Sequence, residues 1–163
     1  MIISSYGLFW RADEVQWFPG YGKNFRLYGR RGKSSHTLEM CDFWRQEGIY
    51  ILYGNLGSYY GGLTKHIGYR LRDHQRDKHA GNWDRFSWFG FRRILKGTDD
   101  DGMQRLGKLP SSKSVSLKMV IRDLEALVLK AMAVENANTS HFKFGRRWDQ
   151  VQLDEVDKYL NRL

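Results

Sequence analysis

Hydrophobic and polar residues alternate along the first third of the chain, which predicts short β-strands separated by turns. Three such stretches lie within residues 6–33 and have the sequences YGLFWR, EVQWF and FRLYGR. A clearer pair follows them. Gly48–Tyr53 is rich in β-branched and aromatic side chains, Gly54–Gly57 has the composition of a turn, and Ser58–Gly61 has that of a returning strand. This pattern predicts a β-hairpin.

After the hairpin the spacing of apolar residues becomes that of a helix. Thr64 can cap a helix N-terminus, and Ile67 and Leu71 follow it four residues apart. Gly68 disfavours this helix without excluding it. Residues 85–95 are strongly aromatic and predict another strand, whereas residues 96–114 have the composition of a flexible connection.

Two more helices are predicted in the last third of the chain. Ser116 opens the first, and its apolar stripe comprises Leu117, Val120, Ile121, Leu124, Leu127, Val128 and Ala131. The second begins near Asp149 and has Leu153, Val156, Leu160 and Leu163 on one face. The predicted fold class is α+β (an α/β sandwich), in which helices flank a small central antiparallel or mixed three-stranded sheet.

Composition points to a soluble domain with a polyanionic partner. The 163 residues carry a formal net charge of +9, so nucleic acid is the first candidate, with an anionic membrane surface or simple solubility as alternatives. Cys41 is the only cysteine, which excludes an intrachain disulfide and a Cys-rich zinc site. The N-terminus lacks a signal-peptide pattern and no apolar run is long enough to span a bilayer. We therefore expect a cytoplasmic protein with no membrane partner.

Candidate chemistry lies in and after the predicted hairpin. The tripeptide GIY ends at Tyr50 and the tripeptide YGG begins at Tyr60; Arg70 follows Tyr60 by ten residues, and His74 follows Arg70 by four. Residues four apart share one side of a helix. An arginine there can hold a phosphate and a histidine can move a proton near neutral pH. The pattern favours phosphodiester chemistry, although outside this spacing His74 would be better interpreted as an exposed helical histidine.

This combination resembles the GIY-YIG nuclease superfamily over roughly residues 47–144, and it is similar to the stand-alone bacterial and phage members. The resemblance implies a β-β-α-β-α nuclease domain at 47–144. A β-rich extension is expected at 1–46, and a C-terminal helix packing on the core at 145–163. Gly61 departs from the pattern, because the family usually has Ile or Val there. The prolines expected in the family's last loop are also missing.

The resemblance implies roles for the four aligned residues. Tyr50 and Tyr60 would orient or deprotonate the attacking water, with Tyr50 favoured as the general base and the reverse order left open. A free phenol has a pKa of about 10, so a neighbouring positive charge or a metal-bound water is expected to assist it. Arg70 would stabilise charge on the phosphate, and His74 would help to manage the proton.

The resemblance also implies a metal site. Glu125, at the edge of the apolar stripe, is the expected ligand of one Mg²⁺ or Mn²⁺, with an exposed helical glutamate as the plain alternative. Asn138 is the expected supporting asparagine, and Asn136 is the alternative to it. Lys65 is expected to contact phosphate or to be merely solvated.

Further basic residues are candidates for binding the nucleic-acid backbone. They are Arg92, Arg93, Lys143, Arg146 and Arg147. Any one of them alone fits a solvated side chain, but as a group they match the affinity that a nuclease needs.

We therefore expect a metal-dependent endonuclease that acts on DNA, with RNA as an open alternative and restriction or anti-phage defence as the favoured setting. Two other functions are kept. One is a catalytically silent nucleic-acid-binding module, and the other is a nuclease subunit active only within a larger defence or repair complex. A protein partner or a homodimer is compatible with the β-rich extension.

Overall fold

The computed structural model describes residues 1–17, 25–31, 39–132, 148–153 and 156. These contain nine strands: β1 (Ser5–Arg11), β2 (Tyr28–Arg31), β3 (Glu39–Asp42), β4 (Gly48–Gly54), β5 (Gly57–Thr64), β6 (Arg85–Gly90), β7 (Ile94–Thr98), β8 (Gln104–Leu106) and β9 (Asp149–Gln152). The helices are α1 (Ile67–His74) and α2 (Leu117–Ala131), with a single 3₁₀ turn at Ser112–Ser114. No helix in the described residues is long and apolar enough to cross a membrane.

All nine strands belong to one mixed sheet in the order β5-β4-β6-β1-β9-β2-β3-β8-β7. The predicted fold class is therefore wrong, because the sheet is large and the helices are few. The physical reason lies at β6. Its second edge is paired with β1, so the N-terminal segment continues the sheet that β4, β5 and β6 begin. An edge strand left bare would expose unpaired backbone groups, and β1 satisfies them here.

The C-terminal helix predicted from Asp149 is also wrong over its first four residues. Asp149–Gln152 is strand β9, which pairs in parallel with β1 and antiparallel with β2. Val151 points into the core and is almost fully buried, as expected for an alternating strand. The rest of the predicted helix lies outside the described residues, except Leu153 and the helical Val156.

The connection predicted at residues 96–114 contains a short hairpin instead. Strands β7 and β8 pair antiparallel on either side of a turn around Gly102, whose φ is +75°. Asp99 stabilises this turn by accepting hydrogen bonds from the amides of Asp101 and Met103. Polar and glycine-rich composition indicates a loop, but it fits the tip of a hairpin equally well.

The sheet separates two apolar clusters. On one face, Tyr50 and Leu52 of β4 pack with Ile67 and Leu71 of α1. On the other face, Ile51 packs with a cluster that includes Ala126 of α2. Successive side chains of a strand point to opposite faces. Helices α1 and α2 therefore lie on opposite sides of β4.

Candidate active site

The structure brings together the four residues that the sequence aligned. Tyr50 lies on β4 and Tyr60 on the neighbouring strand β5, with ring centroids 6.1 Å apart. Arg70 and His74 lie one turn apart on α1, and the His74 ring is 5.6 Å from Tyr50 and 5.3 Å from Tyr60. The hairpin and the helix, both predicted from local patterns, create this cluster on one face of the sheet.

The glycine that ends the second tripeptide is required by packing. Gly62 is paired with Tyr50 across the hairpin, and a Cβ added to Gly62 would lie 2.6 Å from the Tyr50 hydroxyl. Only glycine leaves room for the phenol at this position. Gly61 is different, because the nearest atom to an added Cβ is 3.7 Å away. A β-branched residue would fit at 61, so the departure there does not disturb the cluster.

Tyr50 starts a chain of hydrogen bonds that the sequence did not predict in full. Its hydroxyl lies 2.8 Å from Nε2 of His74, and Nδ1 of His74 lies 2.9 Å from Oδ2 of Asp77. The Asp77 carboxylate can only accept, so Nδ1 carries the proton. In the neutral ring Nε2 is then the acceptor, and the Tyr50 hydroxyl donates to it. Asp77 was missed, although its position three residues after His74 at a helix end was visible in the sequence.

A second histidine joins the cluster from the loop after α1. The backbone amide of His79 donates to Oδ1 of Asp77 at 2.8 Å, and Nδ1 of His79 lies 3.1 Å from the hydroxyl of Tyr59. The rings of His74 and His79 are perpendicular, with centroids 4.7 Å apart. His79 carries no distinguishing sequence pattern, because its approach depends on the turn that follows α1.

The charges around the phenols set their protonation. Burial raises the pKa of Tyr50, and the guanidinium of Arg70 opposes this. The phenol of Tyr50 raises the pKa of Arg70 in turn, so Arg70 stays cationic. Burial also lowers the pKa of His74, although the hydrogen bond and negative charge of Asp77 act to raise it. At neutral pH the site therefore holds a protonated Tyr50 beside a neutral His74 that is ready to accept a proton.

Exposure differs sharply within the cluster. Tyr50 is 1% exposed and His74 is fully buried, whereas Tyr60 is only partly buried and Arg70 is exposed. A phosphate arriving from solvent meets Arg70 and Tyr60 first. Tyr50 lies behind them, in contact with the Arg70 side chain.

The structure does not bring Glu125 to this cluster. Glu125 is an exposed residue of α2, on the side of the sheet away from Tyr50. Lys65 is exposed in the connection between β5 and α1, close in sequence to the cluster. Arg92 and Arg93 lie between β6 and β7; Arg92 donates to the carbonyl of Gly107, and Arg93 is exposed. The remaining predicted site residues, Asn136, Asn138, Lys143, Arg146 and Arg147, lie outside the described residues.

One group within the described residues has the composition of a metal site. His74, Asp77 and His79 each offer one ligand atom, and these atoms lie within 4.8 Å of one another. Two imidazoles with one carboxylate suit Zn²⁺ or Mn²⁺ better than Mg²⁺, which prefers oxygen ligands and water. The group does not fit the Mg²⁺ expected from the sequence. Any ion here would also have to replace the hydrogen bond between His74 and Asp77.

Comparison of the chain with protein-family models, with curated proteins and with solved structures finds no match.

Proposed function

We propose that this protein is a cytoplasmic hydrolase of nucleic-acid phosphodiester bonds, with Tyr50, Tyr60, Arg70 and His74 as its active site. The observation that carries the proposal is the hydrogen-bonded chain from Tyr50 through His74 to Asp77, which lies directly beside a cationic Arg70. The resemblance of the GIY and YGG tripeptides to GIY-YIG nucleases supports the same conclusion, as does the net charge of +9.

The chain of hydrogen bonds suits the activation of water. As a water attacks phosphorus, Tyr50 takes a proton from that water and passes its own hydroxyl proton to Nε2 of His74. The imidazolium that forms is stabilised by the carboxylate of Asp77, whose pKa is held below its usual range by hydrogen bonds from His79 and His74 that outweigh burial. Tyr50 thus acts as a base without ever becoming a free phenolate.

Arg70 and Tyr60 suit the other half of the reaction. The guanidinium neutralises charge that builds up on the phosphate oxygens, and an arginine can hold two of those oxygens at once. The partly buried hydroxyl of Tyr60 faces the same space and is suited to protonate the departing oxygen. These steps use only groups of this chain, and Glu125 takes no part in them.

A cation remains part of the proposal because phosphodiester hydrolysis is commonly assisted by a divalent metal ion. Such an ion supplies Lewis-acid stabilisation of the phosphate when it is bound. His74, Asp77 and His79 would hold such an ion, and Mn²⁺ fits that donor set better than Mg²⁺. An ion there would break the hydrogen bond between His74 and Asp77, so the metal-assisted route and the proton chain through His74 are alternatives, which the chelator arm of the assay below separates.

A second candidate function is a catalytically silent nucleic-acid-binding module or a subunit that needs a partner. The distance in the fold between Glu125 and the phenol cluster favours this alternative, because a metal held at Glu125 cannot serve Tyr50. The exposed Arg70 would bind phosphate in either case.

The test is a plasmid-nicking assay with Mg²⁺, with Mn²⁺ and with a chelator, on wild-type protein and on Tyr50→Phe. Loss of the Tyr50 hydroxyl should lower the rate by about 10²–10⁴-fold. Tyr53→Phe is the matched control, because Tyr53 lies on the same strand and faces away from the cluster. Nicking that survives Tyr50→Phe would overturn the proposed site. Binding without cleavage under every condition would favour the silent module.

Glu125→Gln separates the two metal hypotheses in the same assay. We expect unchanged nicking, because Glu125 is exposed on the far side of the sheet. A loss as large as that of Tyr50→Phe would restore Glu125 as the metal ligand.

A further inference from the structure

A cleft of about 600 Å³ lies on the surface beside the N-terminal end of α1. Its walls come from five separate parts of the chain: the start of β2, the end of β3 with the residues after it, His66 before α1, Arg92 between β6 and β7, and the hairpin of β7 and β8. The volume is in the range of pockets that hold a small ligand. A nucleobase with its attached groups fits within this volume.

The rim of the cleft is suited to an anion. Four arginines line it, namely Arg26, Arg45, Arg92 and Arg105, against three aspartates, Asp42, Asp99 and Asp101. Two of the carboxylates are turned to the backbone. Asp42 accepts from the amides of Leu27 and Trp44, and Asp99 accepts from the amides of Asp101 and Met103. Arg26 is paired with Asp42 at 3.4 Å and Arg92 with Glu47 at 3.6 Å. Arg45 and Arg105 are exposed, so it is their charge that is presented to solvent.

Gln104 in the wall of the cleft is a buried amide without a partner. It is 3% exposed, and neither its Nε2 nor its Oε1 has a hydrogen bond within the described residues. Gln46 shows the ordinary arrangement. It is also buried, but its Nε2 donates to Ser5 and Arg92, and its Oε1 accepts from Glu47 and Arg92. An unpaired buried amide is costly, so a molecule in the cleft that supplies its missing partners would bind there favourably.

The cleft adjoins the candidate active site. His66 lines the cleft, and Arg70 lies one helical turn further along α1, with its amide bonded to the His66 carbonyl at 3.1 Å. Residues four apart are neighbours on a helix surface. A strand of nucleic acid that enters the cleft would therefore pass next to Arg70.

We propose that this cleft binds one unpaired adenine nucleotide of a single-stranded nucleic acid, with the arginines on the phosphate and Gln104 on the base. A glutamine amide matches the donor and acceptor of the adenine N6 and N7 edge. The half-buried ring of Tyr28 in the same wall is suited to stack on the base. The inference takes nucleic acid as ligand from the proposed function, but it does not require that the protein cleaves it.

The test measures binding by fluorescence anisotropy, using full-length Tyr50→Phe protein so that cleavage does not interfere. The probe is a labelled single-stranded oligodeoxyadenylate, and the competitors are oligodeoxythymidylate, a duplex and free AMP. We expect the oligodeoxyadenylate to bind tightest. Tighter binding of duplex, or of the thymidylate, would overturn the proposal, whereas AMP matching the oligonucleotide would identify a free nucleotide as the ligand and overturn the link to a strand.

Gln104→Leu distinguishes a ligand-binding amide from a structural one. The variant should weaken oligodeoxyadenylate binding about tenfold or more. Its thermal midpoint should not fall, because two unpaired buried polar atoms are removed. Gln46→Leu is the matched control, and its midpoint should fall. A Gln104→Leu protein that binds as tightly as its parent would overturn the role of the amide.

Arg105→Gln provides a variant that should fold normally, since Arg105 is exposed. We expect weaker binding and a smaller salt dependence, by about one released counterion. Lys113→Gln, an exposed charge in the 3₁₀ turn and not part of the cleft wall, is the control. An equal effect of both variants would show non-specific attraction and overturn the cleft as the binding site.

Discussion

The two helices differ in how deeply their apolar residues are buried, and their sequences do not predict this difference. Helix α1 has only eight residues and a glycine in its first turn, yet Ile67 and Leu71 are fully buried. Helix α2 has fifteen residues and a longer apolar stripe, yet Leu117 is 74% exposed and Ile121 is 56% exposed. Apolar periodicity thus identified both helices correctly, but it identified the buried face of only one.

The neighbours of each helix explain the difference. Gly68 of α1 lets the Trp44 ring pack directly on the helix backbone, which draws the whole apolar side of α1 onto the core. Helix α2 is anchored by polar contacts instead. Asp123 accepts from the amides of Ile2 and Ile3, and the ammonium of Lys130 donates to the hydroxyl of Tyr6 at 2.9 Å. Buried polar partners decided which side of α2 faces the sheet.

The largest expected difference between the helices is in leucine truncation. Leu71→Ala should lower the free energy of unfolding by about 2–5 kcal/mol, because it leaves a cavity in a fully buried site. Leu124→Ala, its counterpart on α2, should change it by no more than about 0.5 kcal/mol, because Leu124 is 52% exposed. Chemical denaturation measures both. Equal losses would show that the stripe of α2 is covered in solution.

The next largest loss in the free energy of unfolding is expected for Gly68→Ala. Alanine normally stabilises a helix relative to glycine. Here an added Cβ would lie 2.3 Å from the Trp44 ring, so we expect a loss of about 1–3 kcal/mol from overpacking. Gly61→Ala is the control, because its added Cβ meets nothing closer than 3.7 Å. A stabilised Gly68→Ala protein would mean that Trp44 does not press on α1.

Asp123→Ala tests the polar anchoring of α2. Two backbone amides lose their acceptor, so the free energy of unfolding should fall by about 1–3 kcal/mol in denaturation experiments. Asp123→Asn keeps one acceptor oxygen and should lose less. If both variants unfold like the wild type, the apolar contacts of Ala126 alone would hold the helix.

The smallest expected effect is a pH dependence that belongs to α1 alone. Burial lowers the pKa of His74 in the folded protein, so below about pH 6.5 the unfolded chain binds a proton that the folded chain refuses. Stability should therefore fall as the pH drops through this range, until the folded pKa is passed. Helix α2 has no histidine. Thermal melts across pH should lose this slope in His74→Gln, and an unchanged slope would contradict the assignment.

Some residues of the candidate site could be predicted from local sequence patterns, whereas the placement of others depends on long-range contacts. The spacing of Tyr50, Tyr60, Arg70 and His74 could be read from the sequence, because one hairpin and one helix suffice to assemble them. Asp77 and His79 follow α1 closely, but their contacts depend on a turn with no distinctive pattern. Whether Glu125 could reach the cluster depended on the side of the sheet on which α2 packs. No local sequence pattern predicts that side.

By itself the sequence determined what neighbouring residues decide: the β4–β5 hairpin, helix α1, the Ser116 cap of α2 and the phenol cluster. Each depends on turn chemistry, periodicity or capping within a few residues. Only the tertiary structure decided the nine-stranded sheet, in which Ser5 pairs with Asp149, and the burial of α2 through Asp123. Such pairings join residues more than a hundred positions apart, and they are selected by which edges and polar groups remain unsatisfied once the local elements have formed.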